Sequence, residues 1–180
     1  MQNESHLKLA LCITAGLLIA LPATKVGQAQ SPSERRSPSL EDTSGARPED
    51  AAAIREVLSS YAAALNASDT NAVMPLYVED GVFMPCYSPS CVGTKAIRKA
   101  YEDVFKAITL HVKFDVVEVV VMNPEWAFAR TNSAGTQTDH ATGQQSSEGN
   151  QELFIFQKKP SGAWKIARYS FSPTNPPGKS

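Results

Sequence analysis

Residues 61–97 read YAAALNASDTNAVMPLYVEDGVFMPCYSPSCVGTKAI, and the order of elements in this stretch decides the fold. Tyr61 to Leu65 closes an amphipathic helix, and Asn66 to Asp69 is a polar break. A short helical segment ends in Tyr77-Val78-Glu79-Asp80, Gly81 to Met84 reads as a strand, and Gly93-Thr94 opens another helix. Helices and one short strand can bury their apolar sides only against a sheet, which the chain must supply later.

Upstream, Ile54, Val57, Leu58, Tyr61 and Leu65 recur at three- and four-residue spacing, one face of a helix. Pro48 suits a first helical position, and Glu49 and Asp50 complement the positive end of the dipole. Asp69 or Thr70 can cap a second helix over about 71–77, which Pro75 should bend or tighten into 3₁₀ geometry. Residues 30–47 (QSPSERRSPSLEDTSGAR) hold almost no large apolar side chain and read as a disordered linker. Before them, Leu9 to Leu21 is a thirteen-residue apolar run behind Lys8, followed by Val26-Gly27-Gln28-Ala29. That is the pattern of a signal peptide over 1–29, so the expectation is an exported product, periplasmic or secreted, with no membrane association after cleavage.

Without Lys8, Lys25 and Glu4 the mature chain carries a net charge of −2, which offers no electrostatic footprint for nucleic acid. Export also colours the cysteines. Once Cys12 is removed, Cys86 and Cys91 form an even pair around Tyr-Ser-Pro-Ser and are expected to join as a disulfide. His111 and His140 are isolated, so no metal site is expected. No glycine-rich phosphate loop and no Ser/His/Asp arrangement is present, and no cofactor is called for.

Downstream, Thr94 to Ala107 is a third helix with Ile97, Tyr101, Val104 and Phe105 on its stripe, and everything after Thr109 alternates. Leu110, Val112, Phe114 and Val116 share one face of a long strand, while Val117, Val119 and Val121 take the other, so either a bulge falls near Val117 or both faces are covered there. Further strands are expected over 126–138, 149–158 and 163–172, with 139–148 as a polar loop. The folded unit is one α+β domain over 48–173, helices on one face of an antiparallel sheet, with a tail at 174–180.

Tyr61 with Asn66-Ala67-Ser68-Asp69, Leu76-Tyr77-Val78-Glu79-Asp80-Gly81 and Gly93-Thr94-Lys95-Ala96-Ile97-Arg98 resemble the nuclear transport factor 2-like superfamily, as does the ending Phe154-Ile155-Phe156 with Gly162-Ala163-Trp164. That superfamily includes the ketosteroid isomerases and the SnoaL-like polyketide cyclases. The resemblance implies a cone-shaped curved sheet wrapped against three helices around an apolar pocket, and homodimers formed through the outer sheet surface. The face bearing Val117, Val119 and Val121 is the expected dimer surface. In a ketosteroid isomerase a helix tyrosine and a protonated strand acid donate hydrogen bonds to an oxyanion while a second carboxylate moves the proton. Tyr61 and Glu152 match the first two positions, but the proton carrier falls on Met84-Pro85, which cannot accept a proton.

The reading that follows is an exported protein that binds a hydrophobic or partly anionic small molecule. Phe83, Tyr101, Trp126, Phe128, Phe154 and Tyr169 would line its pocket, with Arg130 or Arg168 at the mouth. An ion pair with Glu152 or Glu118 is the structural alternative for the arginines. Two other functions remain open: a SnoaL-like enzyme acting on a carbonyl compound through Glu152 and Tyr61, and an oligomerisation or protein-partner module.

Overall fold

The computed structural model describes residues 47–174. The signal peptide expected over 1–29, the linker up to Arg47 and the tail beyond Thr174 lie outside the described residues. Helix α1 spans Pro48–Asn66, with proline in its first turn and Glu49 and Asp50 beside it. Ile54, Leu58, Tyr61 and Leu65 are buried along one face, each worth about 2 kcal/mol of transfer free energy. Ser68, at φ 52°, ends the segment. The Asn66 amide then bonds both the amide nitrogen and the carbonyl of Val112 at 2.8 Å, fixing the helix end to the sheet.

Asp69 caps α2 (Thr70–Val73) through the Ala72 amide at 3.0 Å, and Pro75 sits in a 3₁₀ turn at Met74–Leu76. The strand starts earlier than expected. β1 covers Tyr77–Met84, so Tyr77 to Asp80 are extended rather than helical, because the proline-tightened turn finishes at Leu76 and Tyr77 pairs with Ile166. β2 is Cys91–Val92, and α3 runs Gly93–Ala107 from a glycine at φ 79°, a backbone region that costs other residues about 1 kcal/mol.

Four long strands complete the domain: β3 Ile108–Val121, β4 Trp126–Asp139, β5 Gln145–Lys158 and β6 Trp164–Pro173. The six strands form one curved sheet in the order β2-β1-β6-β5-β4-β3. It is mixed rather than wholly antiparallel, because β1 pairs with β6 in parallel. A parallel pair needs a long crossover, and here α3 and four strands, β2 to β5, intervene before the chain returns beside β1.

Two bulges set the side-chain parity. Val116 pairs with Thr131 and Glu118 with Arg130, leaving Val117 as the extra residue in β3. Phe156 pairs with Ile166 and Ile155 with Arg168, leaving Ala167 extra in β6. The first bulge corrects the expected dimer face. Beyond it Val119 is fully buried and Val121 packs against the core, so neither shares a surface with exposed Val117. Where β3 and β4 approach most closely, a Cβ on Gly135 would fall 1.9 Å from the His111 carbonyl oxygen, so only glycine fits there.

A candidate site on the concave face

Registration across β3 to β6 arranges the concave face in rows. Val121, Ala127, Phe156 and Ile166 form the first, and Val119, Ala129, Phe154 and Tyr169 the second. The third is Val116, Thr131, Glu152 and Phe171, and the fourth Phe114, Ser133, Asn150 and Pro173. Gly135 opposite Glu148 continues the series. Walking along the sheet, the face changes from wholly apolar to a polar belt.

The apolar rows are sealed by aromatic rings. Phe154 stacks on Tyr169 with centroids 4.2 Å apart, and Phe83 stacks on Tyr101 at 5.1 Å and on Tyr169 at 5.4 Å. Tyr61 meets Phe154 edge-on at 5.5 Å. The polar ends of these rings answer one another: the Tyr101 hydroxyl lies 2.7 Å from that of Tyr61 and 2.8 Å from that of Tyr77. Burial drives all three phenol pKa values up, and they stay neutral.

The belt is built differently. Glu152 is 4% exposed, and its Oε2 accepts from the Thr131 hydroxyl at 2.5 Å. Its Oε1 is buried without a hydrogen-bond partner, and so is the Oδ1 of Asn150. The Asn150 amide donates to Glu148 Oε1 at 2.8 Å and to Ser133 Oγ at 3.4 Å. Burial is the main influence on Glu152 and pushes its pKa above the ordinary glutamate value. The Ser133 and Thr131 hydroxyls pull it down, and the charge of Glu148 pushes it further up. Burial likewise raises Glu148 against its hydrogen bond from Asn150. Phe114, Val116 and Phe171 point inward yet remain only partly buried, so the concave face opens to solvent beside the belt.

The expected site residues divide in two. Phe83, Tyr101, Phe154, Tyr169, Tyr61 and Glu152 are all buried on the concave side. Tyr61 and Glu152 do not meet directly. The Tyr61 hydroxyl is held by Tyr101, and the tyrosine that feels the charge of Glu152 is Tyr169, whose pKa is raised first by burial and then by that carboxylate. Trp126, Phe128, Arg130 and Arg168 are on the outer face instead of lining the pocket. Their register partners are Gln157, Ile155, Leu153 and again Ile155, and the inward positions of β4 are Ala127, Ala129, Thr131 and Ser133. Small residues occupy that strand because rings from α1, β5 and β6 already fill the space above it. Arg130 pairs with Glu118, as the structural alternative expected. Arg168 donates to the carbonyls of Ala167 at 2.7 Å and Asp80 at 3.3 Å. Neither arginine therefore stands at the mouth.

Cys86 and Cys91, expected as a disulfide, are free thiols. Pairing of Cys91 with Phe83 sets it in β2 against the apolar core, where burial raises its thiol pKa and Asp103 adds to the rise. Among the described residues no group of His, Cys, Asp and Glu is arranged to hold a metal, and no helix is long and apolar enough to cross a membrane. His140 is spent on the Thr109 hydroxyl at 2.8 Å and the Lys106 carbonyl at 2.9 Å, tying the β4–β5 turn to the end of α3.

Sequence reasoning missed Thr131, Ser133, Glu148 and Asn150. The hint was available: stepping back by two from Phe154 gives Glu152, Asn150 and Glu148 on one face. The expected loop over 139–148 hid its last member, Glu148, since β5 already begins at Gln145.

A model of the SnoaL-like domain matches residues 57–158. A ketosteroid isomerase-like protein from Erwinia carotovora atroseptica is 35% identical, with 72% of this chain and 99% of that chain covered and a TM-score of 0.70. A nuclear transport factor 2-like superfamily protein from Salmonella enterica is 17% identical over 69% of this chain and 91% of its own, at a TM-score of 0.60. A candidate scytalone dehydratase from Novosphingobium aromaticivorans is 17% identical over 70% and 85% of the two chains, at 0.61. These last two are similar in fold alone. No curated protein matches the chain. The domain model covers more than half of the sequence, and the chain belongs to the SnoaL-like domain family.

Proposed function

We propose that this chain is an exported protein that binds an organic small molecule on the concave face, over the belt formed by Thr131, Ser133, Glu148, Asn150 and Glu152. The observation that carries the reading is the pair of buried, unpartnered acceptors, Glu152 Oε1 and Asn150 Oδ1. A buried polar atom costs about 1–3 kcal/mol unless something hydrogen-bonds to it, so a site that keeps two of them beside an open mouth is built for an occupant. Phe114 and Phe171 flank the belt and would grip the apolar body, with Tyr169 and Phe154 as the floor. Export rests on the apolar run at Leu9 to Leu21. Native mass spectrometry of protein purified from its own host tests the proposal. A retained organic molecule, lost in Glu152→Gln, is the expected result. A bare polypeptide mass together with unaltered melting of Glu152→Gln overturns it.

A second reading, an enzyme acting on a carbonyl compound, is favoured by the raised pKa of Glu152, whose buried carboxyl holds its proton more tightly than an ordinary glutamate. Tyr61 would act there through Tyr169 rather than on substrate itself. Turnover of a carbonyl panel that disappears in Glu152→Gln while binding persists would select this reading. Homodimerisation through the outer face is also proposed. Its support is a cross-strand run of Val120, Phe128 and Ile155 beside exposed Leu153, in place of the valines expected for it. Leu153→Lys should halve the mass seen by light scattering.

A further inference from the structure

The belt is a site with an excess of acceptors: against two carboxylates and an amide oxygen it sets only the Asn150 amide and the Thr131 and Ser133 hydroxyls, both of which act on Glu152. Asn150 gives its amide hydrogens to Glu148 and Ser133. Its orientation is fixed chemically, because a carboxylate facing it can only accept. Thr131 gives its hydroxyl proton to Glu152. The Ser133 hydroxyl stands near Glu152 without making a well-formed bond, which leaves Glu152 Oε1 and Asn150 Oδ1 as the unpartnered acceptors, both on side chains more than nine-tenths buried.

The charge inventory points the same way. No Lys, Arg or His is buried among the described residues. The two cations expected at the mouth are on the outer face, Arg130 with Glu118 and Arg168 with main-chain carbonyls. The charges within the belt are carboxylates, Glu148 and Glu152, and Glu152 feels the charge of Glu148; the cation on the same face of β5, Lys158, is paired with Asp50 at the far end of the strand. An anionic ligand would bring a third negative charge with nothing to meet it. A ketone or ester would present lone pairs to lone pairs. Rings with electron-rich faces, Phe114 and Phe171, stand on either side of the belt.

We infer that the occupant is a hydrophobic primary or secondary amine, bound as its ammonium form, with N–H groups on Glu152 Oε1 and Asn150 Oδ1. The inference rests on the small-molecule reading above and narrows it, setting aside the partly anionic ligand that the arginines had suggested. No covalent step is involved. An ammonium supplies the donors the belt lacks, its charge answers the carboxylates, and its apolar body lies between the two phenylalanines.

Calorimetry with three probes of matched shape tests it: 2-phenylethylamine, 2-phenylethanol and 3-phenylpropionate, near neutral pH, on the mature protein. The amine should bind at least about tenfold more tightly than the alcohol, and the carboxylate should not bind. Glu152→Gln, which keeps the shape, should lose that preference, and Glu148→Gln should weaken the amine alone. Glu56→Gln, on the exposed side of α1, is the control and should change nothing. Equal or tighter binding of the alcohol or the carboxylate overturns the amine assignment and leaves the small-molecule reading standing. If none of the three binds and Glu152→Gln melts like the parent, both fall together.

Discussion

The molecule buries two carboxylates to nearly the same depth and treats them in opposite ways. Asp50, at the start of α1, is 3% exposed, and Glu152, on β5, is 4% exposed. Burial pushes the pKa of each upward. At Asp50 that push is outweighed by the ammonium of Lys158 at 2.5 Å, the indole N–H of Trp164 at 2.9 Å and the charge of Arg47, and the value falls below the ordinary aspartate range. At Glu152 two hydroxyls are weaker help, Glu148 is a hindrance, and the value rises. Partners, not depth, decide what a buried acid is for. Asp50 is a fastener that joins α1 to the β5–β6 hairpin. Each acid leaves one oxygen without a hydrogen bond, but Asp50 Oδ2 has the Arg47 guanidinium 3.8 Å away, whereas Glu152 has no cation among the described residues and is left for something that arrives from outside.

The sharpest way to break this contrast is Asp50→Ala. It should cost about 3 kcal/mol in urea unfolding, the low end for a buried pair because Lys158 stays partly exposed. A loss under about 1 kcal/mol would mean that the fastener is ornamental. Tyr101→Phe comes next. It leaves the hydroxyls of both Tyr61 and Tyr77 without their shared partner, at about 2 kcal/mol. Its role is to show that the neighbouring apolar rows, unlike the belt, are satisfied from within.

Glu152→Gln should have the opposite sign and a smaller size, a gain of about 1 kcal/mol at pH 8. A raised folded pKa means that the native state holds its proton more tightly than the unfolded chain. Stability from this group is therefore full below its ordinary value of 4.5 and is lost as pH rises through the folded value. The advantage of the glutamine variant should shrink in melts run below that pH. For Asp50, whose folded pKa is lowered, stability is present above the ordinary 3.8 and disappears as pH falls through the folded value. Two variants whose pH profiles slope the same way would erase the distinction. The smallest effect lies outside both regions: Tyr87, exposed and at φ 55°, should gain about 0.5 kcal/mol on replacement by glycine. That value sets the scale of purely local strain against which the carboxylate effects are read.

Much of the scaffold was legible. The stripe from Ile54 to Leu65 and the proline-shortened second helix follow from spacing alone, and the break in parity at Val117 allowed a bulge or a strand covered on both faces, of which the bulge is found. What misled was the assumption that large apolar residues mark the inside of a strand. In β4 the large residues Trp126 and Phe128 face out and the small ones face in, because the room inside is taken by rings from elsewhere. The same error carried Arg130 to a pocket it never reaches. Arg168 was misplaced by the bulge at Ala167, which flips parity within β6 and leaves no mark in the sequence. Glu152 was found through its match to the acid position of the ketosteroid isomerases, and its inward facing follows from the parity it shares with Phe154 and Phe156. Of its companions only Glu148 lay in the stretch read as a loop; Thr131, Ser133 and Asn150 lay in expected strands and were passed over because large apolar residues guided the choice of inner face.

The fastening of α1 gives the protein a built-in optical reporter. It has two tryptophans, and they sit in unlike surroundings: Trp126 is half-buried on the outer face, while the Trp164 indole is buried, bonded to the Asp50 carboxylate with the Lys158 ammonium 5.6 Å from its ring centre. In a Trp126→Phe background all indole emission would come from the point where the helix meets the sheet. Release of that one helix would then be visible as a colour change in the light the protein emits, separate from the melting of the sheet beneath it.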